Sequence, residues 1–75
     1  MNSYEESQIA LAARHVAEGR IIVARQRDRI ARLKALGCST LDHEQTLRIF
    51  ESTLEIFLDH EQTLHEQATR KNLAP

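Results

Sequence analysis

The amino-acid sequence predicts an all-α fold, an antiparallel coiled-coil hairpin of two long helices. Apolar residues recur at alternating steps of three and four, which is the coiled-coil period. The one strong break in the 75 residues is GCST at 37–40, and the only proline is the last residue. A short loop between two long helices makes them antiparallel neighbours, so a hairpin is expected.

The break at 37–40 sets the predicted boundaries. Helix 1 is expected at about 3–36, the turn at 37–40 and helix 2 at about 40–72, all within one domain of residues 1–75. Gly37 suits a helix C-cap because glycine adopts the left-handed conformation at low cost. Ser39 and Thr40 are both candidates for the next N-cap, since either hydroxyl can accept from free backbone N–H groups.

The heptad pattern predicts which side of each helix packs against the other. We take position a as Ile9, Val16, Val23 and Ile30 in helix 1, and as Leu47, Leu54, Glu61 and Ala68 in helix 2. The predicted seam then consists of Ile9, Ala12, Val16, Gly19, Val23, Gln26, Ile30 and Leu33 of helix 1, with Thr40, His43, Leu47, Phe50, Leu54, Phe57, Glu61, Leu64 and Ala68 of helix 2.

Charges beside the seam are consistent with the antiparallel pairing. At position e, helix 1 is basic and helix 2 is acidic, and in an antiparallel hairpin e faces e. Folding about the turn brings Lys34 near Glu44 and Arg27 near Glu51. Exposed ion pairs contribute only about 0.2–1 kcal/mol each, so their main expected effect is on orientation and register.

The other flank, at positions g and c, carries apolar residues that a lone hairpin cannot bury. Exposed apolar patches commonly mark interfaces, so we expect self-association there, most simply a two-fold dimer that forms a four-helix bundle. The alternative is that these are scattered surface residues. This set, called the second strip below, comprises Leu11, Ile22, Leu36, Ile49, Thr53 and Ile56.

The heptapeptide LDHEQTL occurs twice, at 41–47 and 58–64. The offset of 17 residues is two heptads plus three, so it converts an a position into a d position. Glu44 and Glu61 therefore lie on different faces, and a duplicated site is not expected. The shared feature is a seam leucine, Leu47 and Leu64.

Histidine and glutamate suggest one alternative, a metal- or pH-responsive oligomer. His60 and His65 are five residues apart, about 140° around a helix, so they do not reproduce the HExxH zinc motif. His15 and His60 both occupy g at a similar level, with Glu61 nearby. Imidazoles and a carboxylate can bind a transition metal or respond to pH near neutrality. The competing interpretation is an ordinary set of polar flank residues.

A second alternative is nucleic-acid binding through helix 1. The segment 20–34 has six basic residues and one acidic residue, whereas 42–66 has seven acidic residues and one basic. Most of this charge is expected to pair within the hairpin, and no aromatic residue is interleaved for base stacking. Arg25, Arg29 and Arg32 lie off the e flank and remain candidates for phosphate contacts.

The other sequence features indicate no enzyme and no cofactor. The single cysteine, Cys38, excludes an internal disulfide and is expected to be exposed in the turn, without a neighbouring base. No nucleophile elbow or phosphate-binding glycine loop occurs. The net charge of −1 gives no global attraction to nucleic acid or membrane, and no apolar stretch approaches the roughly 20 residues that span a bilayer. A lone thiol and no signal peptide favour the cytoplasm.

The pattern HVAEG at 15–19, ARQRDRIARLKALG at 24–37, Thr40 and a leucine-rich second helix resembles short helical proteins common in soil alphaproteobacteria. The resemblance covers about residues 15–65 and implies a small bacterial cytosolic protein, without any activity or site. Ile21 and Ile22 stand where charged residues are more usual in that pattern. The sequence thus predicts a non-enzymatic, self-associating module, whose partner is another copy or an unidentified protein.

Overall fold

The computed structural model describes residues 2–73, with side chains through Lys71. It contains two α-helices, α1 (Ser3–Ala35) and α2 (Leu41–Leu73), which pack along each other. The hairpin measures 62 × 16 × 13 Å. The predicted all-α, two-helix fold is confirmed, and the outermost residues of the predicted domain lie outside the described range.

Helix α1 begins with a side-chain cap. The Oδ1 atom of Asn2 accepts a hydrogen bond from the backbone N–H of Glu5 at 2.8 Å. This bond satisfies one of the four N–H groups that have no partner within the helix. Glu5 and Glu6 follow in the first turn, where the helix dipole favours negative charge.

Helix α1 ends in a Schellman motif. Gly37 has a φ of 74°, the left-handed conformation predicted for it. The N–H of Cys38 donates to the carbonyl of Leu33 at 2.9 Å, and the N–H of Gly37 donates to that of Lys34 at 3.0 Å. These two bonds satisfy carbonyls that the helix leaves free, and they reverse the chain.

Helix α2 begins directly after Thr40, which is the second of the two N-cap candidates. Thr40 is only 8% exposed, and its carbonyl accepts from the N–H of Glu44 at 2.8 Å. Asp42 and Glu44 lie in the first turn. The carbonyl bond marks Thr40, not Ser39, as the residue from which α2 starts.

The helices meet along the predicted seam. Every seam residue of α1 is buried or half-buried, and so is every one of α2. Gly19 permits the close approach at mid-length, because a Cβ atom there would lie 3.1 Å from Cδ1 of Leu54 and 3.6 Å from Cδ2 of Phe57. The most deeply buried apolar residues are Ala12, Val16, Val23 and Ile30.

Two ion pairs on the e flank join the helices at matching levels. Nη2 of Arg27 lies 2.9 Å from Oε2 of Glu51, and Nζ of Lys34 lies 3.2 Å from Oε1 of Glu44. Both predicted pairings are confirmed. Within residues 2–73, neither helix contains a segment long and apolar enough to cross a membrane.

Candidate self-association surface

The second strip lies open to solvent along one broad side of the hairpin. At the centre of the strip, the α2 side chains Ile49 and Ile56 are 61% and 66% exposed. On α1, Leu11 is 41% and Ile22 is 44% exposed, and Leu36 at the turn reaches 77%. Thr53 is also exposed. All six predicted residues are therefore available to a partner.

The threonines of this side are less polar than their composition suggests. The hydroxyl of Thr53 donates to the carbonyl of Ile49 at 3.0 Å, and that of Thr46 donates to the carbonyl of Asp42 at 3.1 Å. Each hydroxyl thus has a hydrogen-bond partner four residues back in its own helix. Covering these threonines would leave no hydroxyl donor unpaired, so the α2 part of the strip can be buried at low polar cost.

The seam leaves α2 only partly covered. From Leu41 to Lys71 no residue is buried, and the seam residues are half-buried, among them Leu47, Phe50, Leu54 and Phe57. The seam of α1 consists largely of smaller residues, such as Ala12 and Val16, which are buried, whereas the larger leucine and phenylalanine side chains of α2 are not fully covered in a hairpin only 13 Å thick. A second layer of helices would cover them further.

The opposite broad side has a different character. It carries the ion pairs of Arg27 with Glu51 and of Lys34 with Glu44, whose side chains stay one-third to two-thirds exposed. Burying these charges would require their desolvation, which is costly. This side therefore favours contact with solvent.

The histidine and glutamate set does not form the predicted metal group within one hairpin. His15 is half-buried against Phe57, with ring centroids 5.2 Å apart and a tilt of 31°. His60 is exposed and Glu61 is half-buried. Among residues 2–73, no three His, Cys, Asp or Glu side chains come close enough to hold a metal ion. The prediction placed the two histidines by their shared position g and their similar level, whereas the ring of His15 lies against an aromatic ring of the seam.

The three candidate nucleic-acid residues, Arg25, Arg29 and Arg32, are all exposed. The ion pairs found among residues 2–71 involve other cations, namely Arg27, Lys34, Arg70 and Lys71. The intramolecular pairing expected for helix 1 is therefore only partial. These three guanidinium groups are free to meet charges outside the hairpin.

Both ends of the hairpin have features that sequence reasoning missed. At the turn, Leu41 is 74% exposed beside the exposed Cys38. At the open end, Tyr4 is 73% exposed and borders a groove of about 200 Å³. A hydrogen bond from Lys71 holds the pKa of the Glu5 carboxyl below its usual range there. Leu41 is at position b, outside the apolar period, whereas Tyr4 is at position c, one heptad before Leu11, so periodicity did carry a signal for Tyr4 that the predicted strip left out.

The geometry defines a class of molecule, an antiparallel two-helix hairpin with interhelical ion pairs on one broad side and the second strip, which also includes charged neighbours such as Glu18 and Arg25, on the other. No protein-family model, curated protein or solved structure matches the chain.

Proposed function

We propose that this protein is a non-enzymatic scaffold or interaction module, a helical hairpin that self-associates through the second strip into a four-helix bundle. The observation that carries the proposal is the exposure of the α2 part of the strip, Ile49 at 61% and Ile56 at 66%. Exposed aliphatic residues in heptad spacing are what a second coiled-coil seam requires.

The size of the side that carries the second strip supports a dimer. The hairpin is 62 Å long and 16 Å wide, so a whole broad side has a projected area on the order of 1,000 Å² per copy, enough for the roughly 800 Å² per partner of a stable interface. A second copy would also cover the half-buried seam residues of α2, such as Phe50 and Phe57. Small two-helix units bury little apolar surface alone, and oligomerisation is a common remedy.

The exposed thiol of Cys38 supports a reducing compartment, since free exposed cysteines are oxidised outside the cytosol. We therefore include a cytoplasmic location in the proposal. In this setting the module would act by presenting the sides that carry the ion pairs to other proteins, while the second strip holds the assembly together.

Analytical ultracentrifugation of the purified protein tests the proposal, with a dimer or a higher even oligomer as the expected result. A double change of Ile49→Glu and Ile56→Glu should give monomers, because each buried carboxylate would lack a partner. The matched control is Ile21→Glu, which removes an isoleucine 50% exposed from outside the strip and should leave the oligomer intact. A wild-type monomer at tens of micromolar would refute self-association.

A second candidate, nucleic-acid binding, is favoured by one observation. Arg25, Arg29 and Arg32 lie exposed on one helix and take part in no ion pair among residues 2–71. This reading predicts retardation of DNA or RNA that weakens as salt rises, because cationic contacts release counterions. Neutralising Arg25 and Arg29 should reduce the retardation, and equal mobility of the variant would reject the candidate.

A further inference from the structure

We propose that the second copy docks on the second strip in the opposite direction, about a two-fold axis that passes beside Thr53, so that each turn lies against the open end of the other hairpin. This inference rests on the proposed self-association and adds its orientation and register. Three features of the strip support this arrangement. The first lies at the centre of the strip on α2, the second at its centre on α1, and the third at its ends.

The first feature is the placement of Ile49 and Ile56 on either side of Thr53. A two-fold axis crossing α2 at Thr53 exchanges these two positions, so that Ile49 of one copy meets Ile56 of the other, and the reverse. The two exposed isoleucines then cover each other twice. Thr53 meets its own counterpart on the axis, with its hydroxyl already bonded to the carbonyl of Ile49.

The second feature is charge complementarity on α1. Because Gly19 contacts Leu54, the axis beside Thr53 crosses α1 between Gly19 and Ile22. Glu18 and Arg25 lie on the two sides of this crossing, on the same face of α1 as Ile22 because the spacing is i, i+4, i+7. In the antiparallel dimer, Arg25 of each copy therefore comes level with Glu18 of the other.

The competing arrangement, with both turns at the same end, matches the strip less well. It sets α1 of one copy over α2 of the other at the same level, where Gly19 corresponds to Leu54. Ile49 would then face Arg25, and Ile56 would face Glu18. Each exposed isoleucine would cover a charged side chain, which carries a desolvation cost.

The third feature lies at the ends. Leu36, which ends the strip at the turn, is 77% exposed, whereas the groove bordered by Tyr4, Ile9 and Leu64 is at the open end. In one copy these features are at opposite ends of a molecule 62 Å long. Only a partner running in the opposite direction brings its Leu36 to the level of the open end.

A charge exchange tests the register. Arg25→Glu and Glu18→Arg should each weaken self-association by roughly tenfold or more, because each creates two like-charge contacts per dimer. The combination of both changes restores opposite charges and should return the Kd to within about threefold of the wild type. The control Arg14→Glu makes the same charge change on an exposed residue outside the strip and should leave the Kd unaltered.

Cross-linking tests the direction independently. In a Cys38→Ser background, Thr53→Cys should form a covalent dimer on oxidation, because the two cysteines would meet at the axis. The wild-type protein should not cross-link within its dimers through Cys38, since the two thiols would lie at opposite ends of the bundle.

The outcomes separate the two proposals. If the dimer cross-links through Cys38 but not through Thr53→Cys, and if the double charge exchange does not restore the Kd, the antiparallel register is wrong while self-association stands. A protein that stays monomeric overturns both. A dimer with a rescued double exchange and a Thr53→Cys cross-link supports the inference.

Discussion

Gln26 is the buried polar side chain of α1 within the seam, and replacing it with leucine is the most informative test of the packing. Gln26 is 4% exposed, and its Nε2 atom donates to the carbonyl of His43 at 2.9 Å. That carbonyl lies in the first turn of α2, where it can also accept the regular helix bond from four residues onward. Removing the amide therefore leaves no buried acceptor without a partner.

The expected balance favours leucine. The lost hydrogen bond contributes about 0.5–1.5 kcal/mol, whereas burial of a leucine side chain contributes about 1.5–3 kcal/mol. Helix propensities of glutamine and leucine are nearly equal, so they cancel. Gln26→Leu should raise the free energy of unfolding by roughly 1 kcal/mol, or the Tm by roughly 4–8 °C for a domain of this size. Gln26→Ala should lower it, since a cavity replaces the contact.

Urea denaturation followed by circular dichroism at 222 nm measures these differences, at one protein concentration because association contributes to stability. Gln45→Leu, at an exposed site of α2, is the control and should change stability by less than about 0.5 kcal/mol. If Gln26→Leu proved less stable than the wild type by about 1 kcal/mol, the hydrogen bond to His43 would outweigh apolar burial, and the reasoning would be wrong. Loss of a unique orientation in the leucine variant would show that the amide fixes register.

Three further predictions concern the turn and the ion pairs. Gly37→Ala should lower the free energy of unfolding by about 1–2 kcal/mol through backbone strain alone, because φ is 74° and no other residue lies within 4 Å of the added Cβ. Thermal melts measure this change, and an unchanged Tm would contradict the role of the left-handed turn. A double-mutant cycle on Arg27 and Glu51 should give a coupling of about 0.2–1 kcal/mol that shrinks as salt rises, since both side chains are exposed; a coupling insensitive to salt would argue against a screened pair. Because the pKa of Glu5 is lowered, its pairing with Lys71 stabilises the fold at pH values above the ordinary carboxyl range, and this stabilisation is lost as the pH falls through the folded-state pKa. In Lys71→Ala, NMR titration should find the pKa of Glu5 raised. An unchanged pKa would show that Lys71 is not the group that lowers it.

Periodicity explains why the architecture could be predicted. Over more than 30 residues a helix repeats the same geometry, so the apolar spacing of α1 and α2 identifies the seam without knowledge of the partner. The pairings of Arg27 with Glu51 and Lys34 with Glu44 followed from the same seam, because antiparallel packing places e beside e. A single strong break, at Gly37, left one way to fold the chain back.

Side-chain contacts between the helices were not predictable in the same way. The metal hypothesis assumed that His15 and His60 share a direction because they share a heptad position. The ring of His15 instead lies against that of Phe57, with 5.2 Å between ring centroids. Similarly, the hydroxyl of Thr53 bonds to its own helix, which makes the second strip less polar than its composition indicates.

The sequence by itself determined the two helices, the turn and the side on which they meet, because these depend on local spacing and on the left-handed preference of Gly37. Only the tertiary structure decided that Thr40 starts α2, that Gln26 reaches His43 across the seam and that Ile49 and Ile56 stay uncovered. These depend on the distance and level between two helices, and a hairpin 13 Å thick has no second layer to cover the second strip.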